Sequence, residues 1–243
     1  MTAIAILSDV HGNLHALEAV LEAVAGRGIA RWWCLGDMVG YGAFPAETLA
    51  ACVAGAERCL AGNHDLGAAG RVPMAEFSDA AAVALAWTAE RLDDDAMRAL
   101  ARLQPQDVDS SPPLYHASPR DPVWEYVLTP RQAEHALVDS PRPLTLVGHT
   151  HMAAAWNLTG ADGLRRIRVD QGAIALGRGR WLVNPGSVGQ PRDHDPRASW
   201  AVFDPENETI EVIRTPYDVH GAQAAIRDAG LPRLLADRLG EGR

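Results

Sequence analysis

Residues 4–11 have the sequence IAILSDVH, an apolar run that ends in Ser8 and is followed at once by Asp9 and His11. The arrangement recurs at three later points: Trp32–Leu35 before Gly36-Asp37, Cys59–Ala61 before Gly62-Asn63-His64, and Leu144–Val147 before Gly148-His149-Thr150-His151. A short apolar run bounded by turn residues is typical of a buried strand. Open α/β sheets bind ligands beyond the carboxyl ends of their strands. The sequence therefore predicts an α/β fold with a polar pocket at one sheet edge.

The residue types in this pocket predict its chemistry. Two aspartates, one asparagine and four histidines would meet there. Such a mixture of oxygen and nitrogen ligands favours a first-row transition metal over a site that binds only magnesium or calcium.

Composition limits the classes of protein that this chain can be. Its 243 residues suffice for one large core, and we expect a single domain over residues 1–243. The net charge of −9 argues against tight binding of duplex nucleic acid. The chain has no lysine, which excludes a Walker phosphate loop and Schiff-base catalysis. Three cysteines without a CxxC pair, no signal segment and no membrane-length apolar run predict a cytoplasmic protein with no membrane partner.

The remaining sequence alternates between helical and strand patterns. Asn13 can cap a helix whose apolar face ends near Gly26. Residues 66–108 form a helical insertion, with two segments separated by the acidic run Asp93–Asp95. Strand patterns follow at Ala153–Leu158, Leu164–Val169, Gln171–Leu176, Trp181–Val183, Ser199–Phe203 and Thr209–Arg214. The sequence predicts a helical tail over residues 218–240 with a frayed Gly-Glu-Gly-Arg end.

The order of the motifs resembles that of the calcineurin-like metallophosphoesterases. Asp-x-His at 9–11, Gly-Asp at 36–37, Gly-Asn-His-Asp at 62–65, a strand-end His116 and Gly-His-Thr-His at 148–151 follow the order of that superfamily. The stretches SDVHGNLHALEAVL (8–21), GDMVGYGAFPAE (36–47), HASPRDPVWEYV (116–127) and NPGSVGQPRD (184–193) resemble its small prokaryotic branch.

The resemblance implies a fold and a cofactor. The fold is an α/β sandwich of two mixed β-sheets flanked by helices, with metals at one sheet edge. The cofactor is a pair of divalent transition-metal ions (Mn, Fe, Zn, Ni or Co) bridged by Asp37. Carried over by motif, the ligands of the first ion are Asp9, His11 and His151, and those of the second are Asn63, His116 and His149.

The resemblance also implies an activity, the hydrolysis of phosphoester bonds by a water that bridges the metals. His64 would act on the leaving oxygen, and Asp65 could orient its ring. The implied substrates are small phosphodiesters or nucleotides, including dinucleoside polyphosphates. Arg120 and Arg192 lie in loops near the implied metals, where an arginine either grips a phosphate or pairs with a local aspartate. Trp124, close to Arg120 in sequence, and Tyr126 either belong to the core or reach the site from their loop.

Two other functions are compatible with this fold. A phosphoprotein phosphatase of the superfamily carries an arginine in the Gly-Asp motif, whereas residues 36–42 contain none. A catalytically inactive binding scaffold would be expected to lose the catalytic histidine or a metal ligand. Every one of these positions is filled here, which favours an enzyme.

Overall fold

The computed structural model describes residues 3–243, which form two six-stranded sheets and eight α-helices. The strands, numbered in chain order, are β1 (Ile4–Leu7), β2 (Arg31–Cys34), β3 (Arg58–Cys59), β4 (Gln106–Asp107), β5 (Leu114–Tyr115), β6 (Leu144–Leu146), β7 (Ala154–Thr159), β8 (Gly163–Ile167), β9 (Ile174–Ala175), β10 (Arg180–Asn184), β11 (Ala198–Asp204) and β12 (Thr209–Thr215). The helices are α1 (Leu14–Gly26), α2 (Pro45–Gly55), α3 (Asn63–Ala68), α4 (Asp79–Ala89), α5 (Asp94–Arg102), α6 (Pro130–Asp139), α7 (Val219–Asp228) and α8 (Arg233–Glu241), with a 3₁₀ turn at Met74–Glu76.

Both sheets mix parallel and antiparallel pairs. The first has the order β3-β2-β1-β11-β12-β9, and the second has the order β4-β5-β6-β10-β7-β8. In the first sheet β1, β2 and β3 are parallel, and β11 runs antiparallel to β1. In the second sheet β5, β6 and β10 are parallel. The fold predicted from the resemblance, two mixed sheets flanked by helices, is therefore confirmed.

The strand β1 is apolar throughout because both of its faces are buried. Ile4 and Ile6 belong to the layer between the two sheets, where they join Leu146 of β6. Ala5 and Leu7 face the other way and pack in the cluster that contains the helices of the outer layer. Successive side chains of a strand point to opposite faces, so a strand covered on both faces has a continuous apolar sequence.

The predicted helices are present with small differences. Asn13 caps α1 by accepting a hydrogen bond from the backbone N–H of Ala16. The two segments around the acidic run are α4 and α5, and Asp93 caps the second. The strand predicted over Gln171–Leu176 is only the two-residue β9. That the chain is a single domain with a helical insertion at residues 66–108 stays a prediction.

The carboxyl-terminal segment differs from the prediction. It forms two helices, α7 and α8, separated by Gly230 with its φ of 71°. The prediction of a frayed carboxyl-terminal end is wrong. Gly242, with φ 63°, caps α8, and its carbonyl accepts a hydrogen bond from the backbone N–H of His194 at 2.9 Å. A left-handed glycine cap turns the chain away from the helix axis, and here it docks the end of α8 on the loop around His194. No helix within residues 3–243 has the length and apolar character needed to cross a membrane.

Candidate metal centre

The predicted ligand residues meet at the carboxyl ends of parallel strands from both sheets. In the first sheet β1 leads to Asp9 and His11, β2 leads to Asp37, and β3 leads to α3. In the second sheet β5 leads to His116, and β6 leads to the motif at 148–151. All the predicted ligands are at most 5% exposed: Asp9, His11, Asp37, Asn63, His116, His149 and His151.

A left-handed backbone at the strand ends turns the side chains toward one point. Five of the seven predicted ligands have φ between 50° and 66°: Asp9, His11, Asp37, His149 and His151. This conformation is uncommon outside glycine, although aspartate and histidine tolerate it better than most residues. Non-glycine residues held there cluster at functional sites because the surrounding structure must impose the strain.

The potential ligand atoms form two groups that share one carboxylate. The first contains Asp9, His11, Asp37 and His151, and the second contains Asp37, His116 and His149. Oδ2 of Asp37 lies 3.4 Å from Nε2 of His11 and 3.6 Å from Nε2 of His116. Oδ1 of Asn63 lies 3.2 Å from Nε2 of His116, so this amide oxygen joins the second group. Asp37 thus lies where a bridging ligand would be needed.

Hydrogen bonds on the outer side of the cluster fix which ring nitrogens face inward. Nδ1 of His11, His116 and His151 lies 3.1, 3.0 and 2.6 Å from the carbonyl oxygens of Val39, Leu35 and Gln190. A carbonyl only accepts, so each Nδ1 carries the ring hydrogen and each Nε2 keeps a lone pair.

The lone pairs that point into the cluster are suited to binding a cation. Nε2 of His11 and Nε2 of His151 are 3.0 Å apart, and neither carries a hydrogen to share. Oδ1 of Asp9 is buried without a hydrogen-bond partner. Buried acceptors that face one another repel unless a donor or a metal lies between them. The residues therefore fit divalent metal ions of the kind predicted.

Burial sets the protonation states of this cluster. It raises the pKa of Asp9 to about 7 and that of Asp37 to about 8. It also lowers the pKa of every histidine in the cluster: His11, His116, His149 and His151. The imidazoles are therefore neutral at neutral pH, the form in which histidine can bind a metal, while the two carboxylates need nearby positive charge to ionise.

His64 lies beside the cluster and is not part of either group. Its ring centroid is 4.7 Å from that of His11, and its Nδ1 is buried without a hydrogen-bond partner. Burial and the positive charge of Arg192 lower its pKa well below the ordinary value. Gly40, with φ 84°, makes room for this ring, because a Cβ at that position would lie 2.4 Å from Nδ1 of His64. The imidazole is therefore neutral and held against the backbone.

The structure contradicts the ring-orienting role expected for Asp65. Its Oδ1 accepts hydrogen bonds from the backbone N–H groups of Met38 and Val39, and its Oδ2 accepts one from Gly62. All three bonds of the carboxylate therefore go to the backbone, and Nδ1 of His64 is buried without a hydrogen-bond partner. Sequence adjacency suggested the wrong partner, because residues 64 and 65 begin a helix and diverge within its first turn. Asp65 instead holds together the loops that follow β2 and β3.

The two arginines singled out in the sequence have different surroundings. The guanidinium of Arg120 lies 2.6 Å from Nδ1 of His135, 3.7 Å from Asp139 and 4.0 Å from Glu125. Of the two alternatives for Arg120, phosphate binding or pairing with a local aspartate, the structure therefore shows the local ion pair. Arg192 donates two hydrogen bonds to the side-chain oxygen of Gln190.

Several contacts place Arg192 beside the cluster of Asp and His side chains. Its backbone N–H donates to the carbonyl of His151 at 3.1 Å. Its guanidinium carbon lies 5.8 Å from the centre of the Tyr41 ring, which contacts His11. Its charge also contributes to the lowered pKa of His11, His64 and His151. The two residues predicted from the same kind of loop thus have unlike surroundings, and of the two only Arg192 lies beside the cluster.

Aromatic side chains line the approach to the cluster. Tyr126 stacks on the ring of His149 with centroids 4.1 Å apart and an interplanar angle of 21°, and it is 41% exposed. Tyr41 lies 4.3 Å from His64, and Phe77 lies between His64 and Trp124 at 5.2 Å from each. Of these, only Trp124 and Tyr126 were considered from the sequence. Tyr41 carried the weak signal of following the Gly-Asp motif closely.

Comparison with known proteins identifies the family. The chain belongs to the calcineurin-like phosphoesterase superfamily, whose domain model matches residues 2–208. An uncharacterized protein of Methanocaldococcus jannaschii is 36% identical over 250 residues, which cover 99% of this chain and 98% of that protein.

Solved structures give the same result for the fold. The crystal structure of a metallophosphoesterase from Sphaerobacter thermophilus is 38% identical, with a TM-score of 0.90 over 100% of this chain and 99% of that one. A hypothetical protein from Pyrococcus horikoshii is 22% identical, with a TM-score of 0.78 over 100% of this chain and 99% of that one, and this likeness concerns the fold alone. The protein is a metal-dependent phosphoester hydrolase with a buried Asp/His cluster that can bind metal.

Proposed function

We propose that this protein hydrolyses phosphodiester or nucleotide phosphoester bonds with two divalent transition-metal ions. One observation carries the proposal: two groups of inward-facing lone pairs share the single carboxylate of Asp37. Asp9, His11 and His151 would hold one ion, and Asn63, His116 and His149 the other. Bound there, the two ions would supply positive charge to the phosphate oxygens and lower the pKa of the attacking water.

His64 assists the leaving group in this proposal. It lies beside His11 without belonging to either ligand group, and its imidazole is neutral, so its one N–H is available for donation. A hydrogen bond from this ring to the leaving oxygen would stabilise the negative charge that grows there. The packing of the ring between Tyr41 and Phe77 fixes its orientation in place of Asp65.

Arg192 binds the phosphate that is cleaved. Its guanidinium is anchored to the neutral oxygen of Gln190, which leaves its charge uncompensated by that contact. Guanidinium groups bind phosphate oxygens through paired hydrogen bonds. Arg120, with its carboxylate neighbours, lies in a less suitable electrostatic setting, and we assign it no contact with the substrate.

The substrate is a small nucleotide-like molecule. The exposed face of Tyr126, stacked on a ligand residue, offers a surface for an aromatic ring beside the phosphate site. The net charge of −9 disfavours long polyanions, whereas a local positive site still attracts one phosphate group. Duplex DNA and RNA should therefore be poor substrates.

The test is a substrate screen with the purified protein after chelation and reloading with Mn²⁺, Fe²⁺, Zn²⁺, Ni²⁺ or Co²⁺. The panel contains bis-p-nitrophenyl phosphate, p-nitrophenyl phosphate, thymidine 5′-(p-nitrophenyl phosphate), diadenosine tetraphosphate and a duplex oligonucleotide. We expect metal-dependent turnover that is fastest on the small diesters or nucleotides. Activity that persists in the chelated protein, or equal rates on the duplex, would overturn the proposal.

The role of Tyr126 is tested within the same screen. Tyr126→Ala should lower kcat/KM for thymidine 5′-(p-nitrophenyl phosphate) by roughly 5- to 15-fold, the effect of losing one aromatic contact of about 1–1.5 kcal/mol. Tyr126→Phe keeps the ring and serves as the matched control. Equal losses for both variants would exclude stacking as the role of this residue.

A further inference from the structure

Two aromatic side chains from opposite sides of the site meet beside His64. Phe77 lies just before α4, and Trp124 lies in the loop that follows β5 and His116. The ring centroid of Phe77 is 5.2 Å from that of His64 and 5.2 Å from that of Trp124, in edge-to-face arrangements at 74° and 66°. Rings at these separations are in contact. A segment that follows the first sheet therefore touches a loop of the second sheet on the side of the site where His64 lies.

The helix that begins with the Asn63-His64 pair makes room for the ring of Phe77. Gly67 lies one turn after His64 in this helix, α3. A Cβ at Gly67 would lie 2.8 Å from Cζ of Phe77 and 3.0 Å from Cδ1 of Leu85. The backbone N–H of Phe77 donates to the carbonyl of Met74 at 3.2 Å, which closes the 3₁₀ turn. The ring of Phe77 is therefore held against α3 and beside His64.

Trp124 is held by a loop that is closed by its own hydrogen bonds. Oδ1 of Asp121 accepts from the backbone N–H groups of Val123 and Trp124, each at 3.0 Å. The buried hydroxyl of Ser118 accepts from the backbone N–H of Asp121 at 3.1 Å and donates to the carboxylate of Glu125. The loop is thus tied together on both sides of Trp124, which fixes the backbone that presents the indole to Phe77.

This contact bounds the space beside the residue that would act on the leaving oxygen. His64 is only 3% exposed, and its ring contacts those of His11, Tyr41 and Phe77. A leaving group whose oxygen reaches His64 must therefore share this space with Phe77, which Trp124 supports from behind. Packed side chains accept extra atoms only at a cost in free energy, because their neighbours have to move.

We propose that Phe77 and Trp124 form an aromatic wall that limits the size of the leaving group. This inference rests on the proposed function, in which His64 assists the leaving oxygen. Neither ring belongs to the groups of potential metal ligands, so the wall acts on substrate choice and not on metal binding. A bond in the interior of a polynucleotide has a bulky leaving group, and the wall would reject it. Phosphoesters with a small leaving group would be accepted.

The experiment compares two substrates that share the retained thymidine 5′-phosphoryl group and release phenols of similar acidity but different size. Thymidine 5′-(p-nitrophenyl phosphate) releases a one-ring phenol, and thymidine 5′-(4-methylumbelliferyl phosphate) releases a fused two-ring phenol. The wild type should prefer the one-ring substrate in kcat/KM by roughly 10- to 100-fold, the usual effect of excess size in an apolar pocket. Trp124→Ala and Phe77→Ala should each reduce this preference by about fivefold or more.

The ratio of kcat/KM for the two substrates is the readout, because Phe77→Ala also loosens the packing of His64 and lowers both rates. Trp124 contacts Phe77, so Trp124→Ala carries the test if Phe77→Ala fails to fold. Trp87→Ala is the matched control, because the indole N–H of this residue on α4 donates to the carbonyl of Ala229. It should leave the preference within about twofold of the wild type. Elemental analysis should find unchanged metal content in all three variants.

A third substrate tests which part of the substrate the wall bounds. Methyl p-nitrophenyl phosphate has the same leaving group as the one-ring thymidine substrate and a much smaller retained group. Trp124→Ala should change the preference between these two by less than about twofold. A larger change than that on the leaving-group pair would assign Trp124 to the retained part of the substrate and overturn the inference.

The remaining outcomes separate this inference from the proposed function. A wild type without preference for the one-ring leaving group, or variants that keep the wild-type preference, would overturn the wall. A selective loss on the two-ring substrate in the variants would overturn it as well, because the rings would then bind the leaving group. In each of these cases the proposed function stands. A metal-loaded wild type that cleaves none of the three substrates, nor bis-p-nitrophenyl phosphate, would overturn the proposed function itself.

Discussion

The substitution Asp65→Asn tests whether this carboxylate supports the backbone of the site or the ring of His64. In the structure it accepts three buried backbone N–H groups, from Met38 at 3.0 Å, Val39 at 3.1 Å and Gly62 at 2.9 Å. An asparagine oxygen can retain the bonds to residues 38 and 39. Its amide group then faces the N–H of Gly62, so one hydrogen bond becomes a contact between two buried donors.

The size of the effect follows from these bonds. Leaving the buried N–H of Gly62 unsatisfied costs about 1–3 kcal/mol, and weakening the two retained bonds adds about 0.5–1 kcal/mol each. The free energy of unfolding should therefore fall by about 2–5 kcal/mol. For a chain of this length such a loss lowers Tm by roughly 4–20 °C. Activity should fall as well, since the carbonyl of Val39 accepts from Nδ1 of His11 and thereby orients a ligand.

The assay is thermal unfolding of the chelated protein, together with rates on substrates whose leaving groups differ in acidity. Asp95→Asn is the matched control, because that carboxylate is 90% exposed and should shift Tm by less than about 2 °C. If Asp65→Asn leaves Tm unchanged and impairs poor leaving groups selectively, the carboxylate acts through the imidazole and the reasoning from the hydrogen bonds is wrong.

Three further predictions concern the metal cluster. His64→Ala should lower kcat by roughly 10²–10⁴-fold with metal content unchanged, and the defect should shrink with an acidic leaving group; a defect independent of the leaving group would leave only a positioning role. Asp37→Asn should lose most of the bound metal and activity, because a neutral bridge cannot offset two adjacent dications, and elemental analysis that still finds two ions per chain would contradict the bridge. Metal should stabilise the protein more at pH 8 than at pH 5.5. The reason is that the folded pKa values of Asp9 and Asp37, about 7 and 8, exceed the ordinary value of 3.8. The metal-free fold therefore loses stability as the pH rises from about 4 through these values, whereas bound cations favour the ionised forms. Thermal unfolding with and without metal at both pH values measures this difference, and an equal gain in Tm would refute it.

Much of the fold and the cluster could be predicted because strand ends carry their own signal. Each of the apolar runs at β1, β2 and β6 ends next to predicted ligand residues, and parallel strands bring such ends to one edge. The shared position of Asp37 came from the resemblance, and the geometry agrees with it. Individual roles of the ligands stay predictions until metal is measured.

What the sequence did not predict depends on contacts between distant segments. The partners of Asp65 are backbone groups 26 and 27 residues away in sequence, which no local pattern reveals. Tyr41 joins Leu235 and Leu239 of α8 in one apolar cluster, and a helical periodicity does not specify such a neighbour. The same limit applies to Arg120 and Arg192, whose sequence contexts are alike while their partners in space differ.

Without metal, the cluster combines several energetically unfavourable features, and bound cations would offset them. Five of the predicted ligand residues have a left-handed backbone, which costs roughly 1–2 kcal/mol per residue, and the buried acceptors of His11, His151 and Asp9 face one another. Gly62 adds a steric condition, since a Cβ there would lie 2.0 Å from Oδ1 of Asp37. The outer hydrogen bonds of the histidines and of Asp65 hold these loops in place. Bound cations would turn the converging lone pairs from a destabilising into a stabilising feature. Substitutions that remove these outer hydrogen bonds should therefore lower the stability most in the metal-free protein, where the rest of the fold alone maintains the geometry.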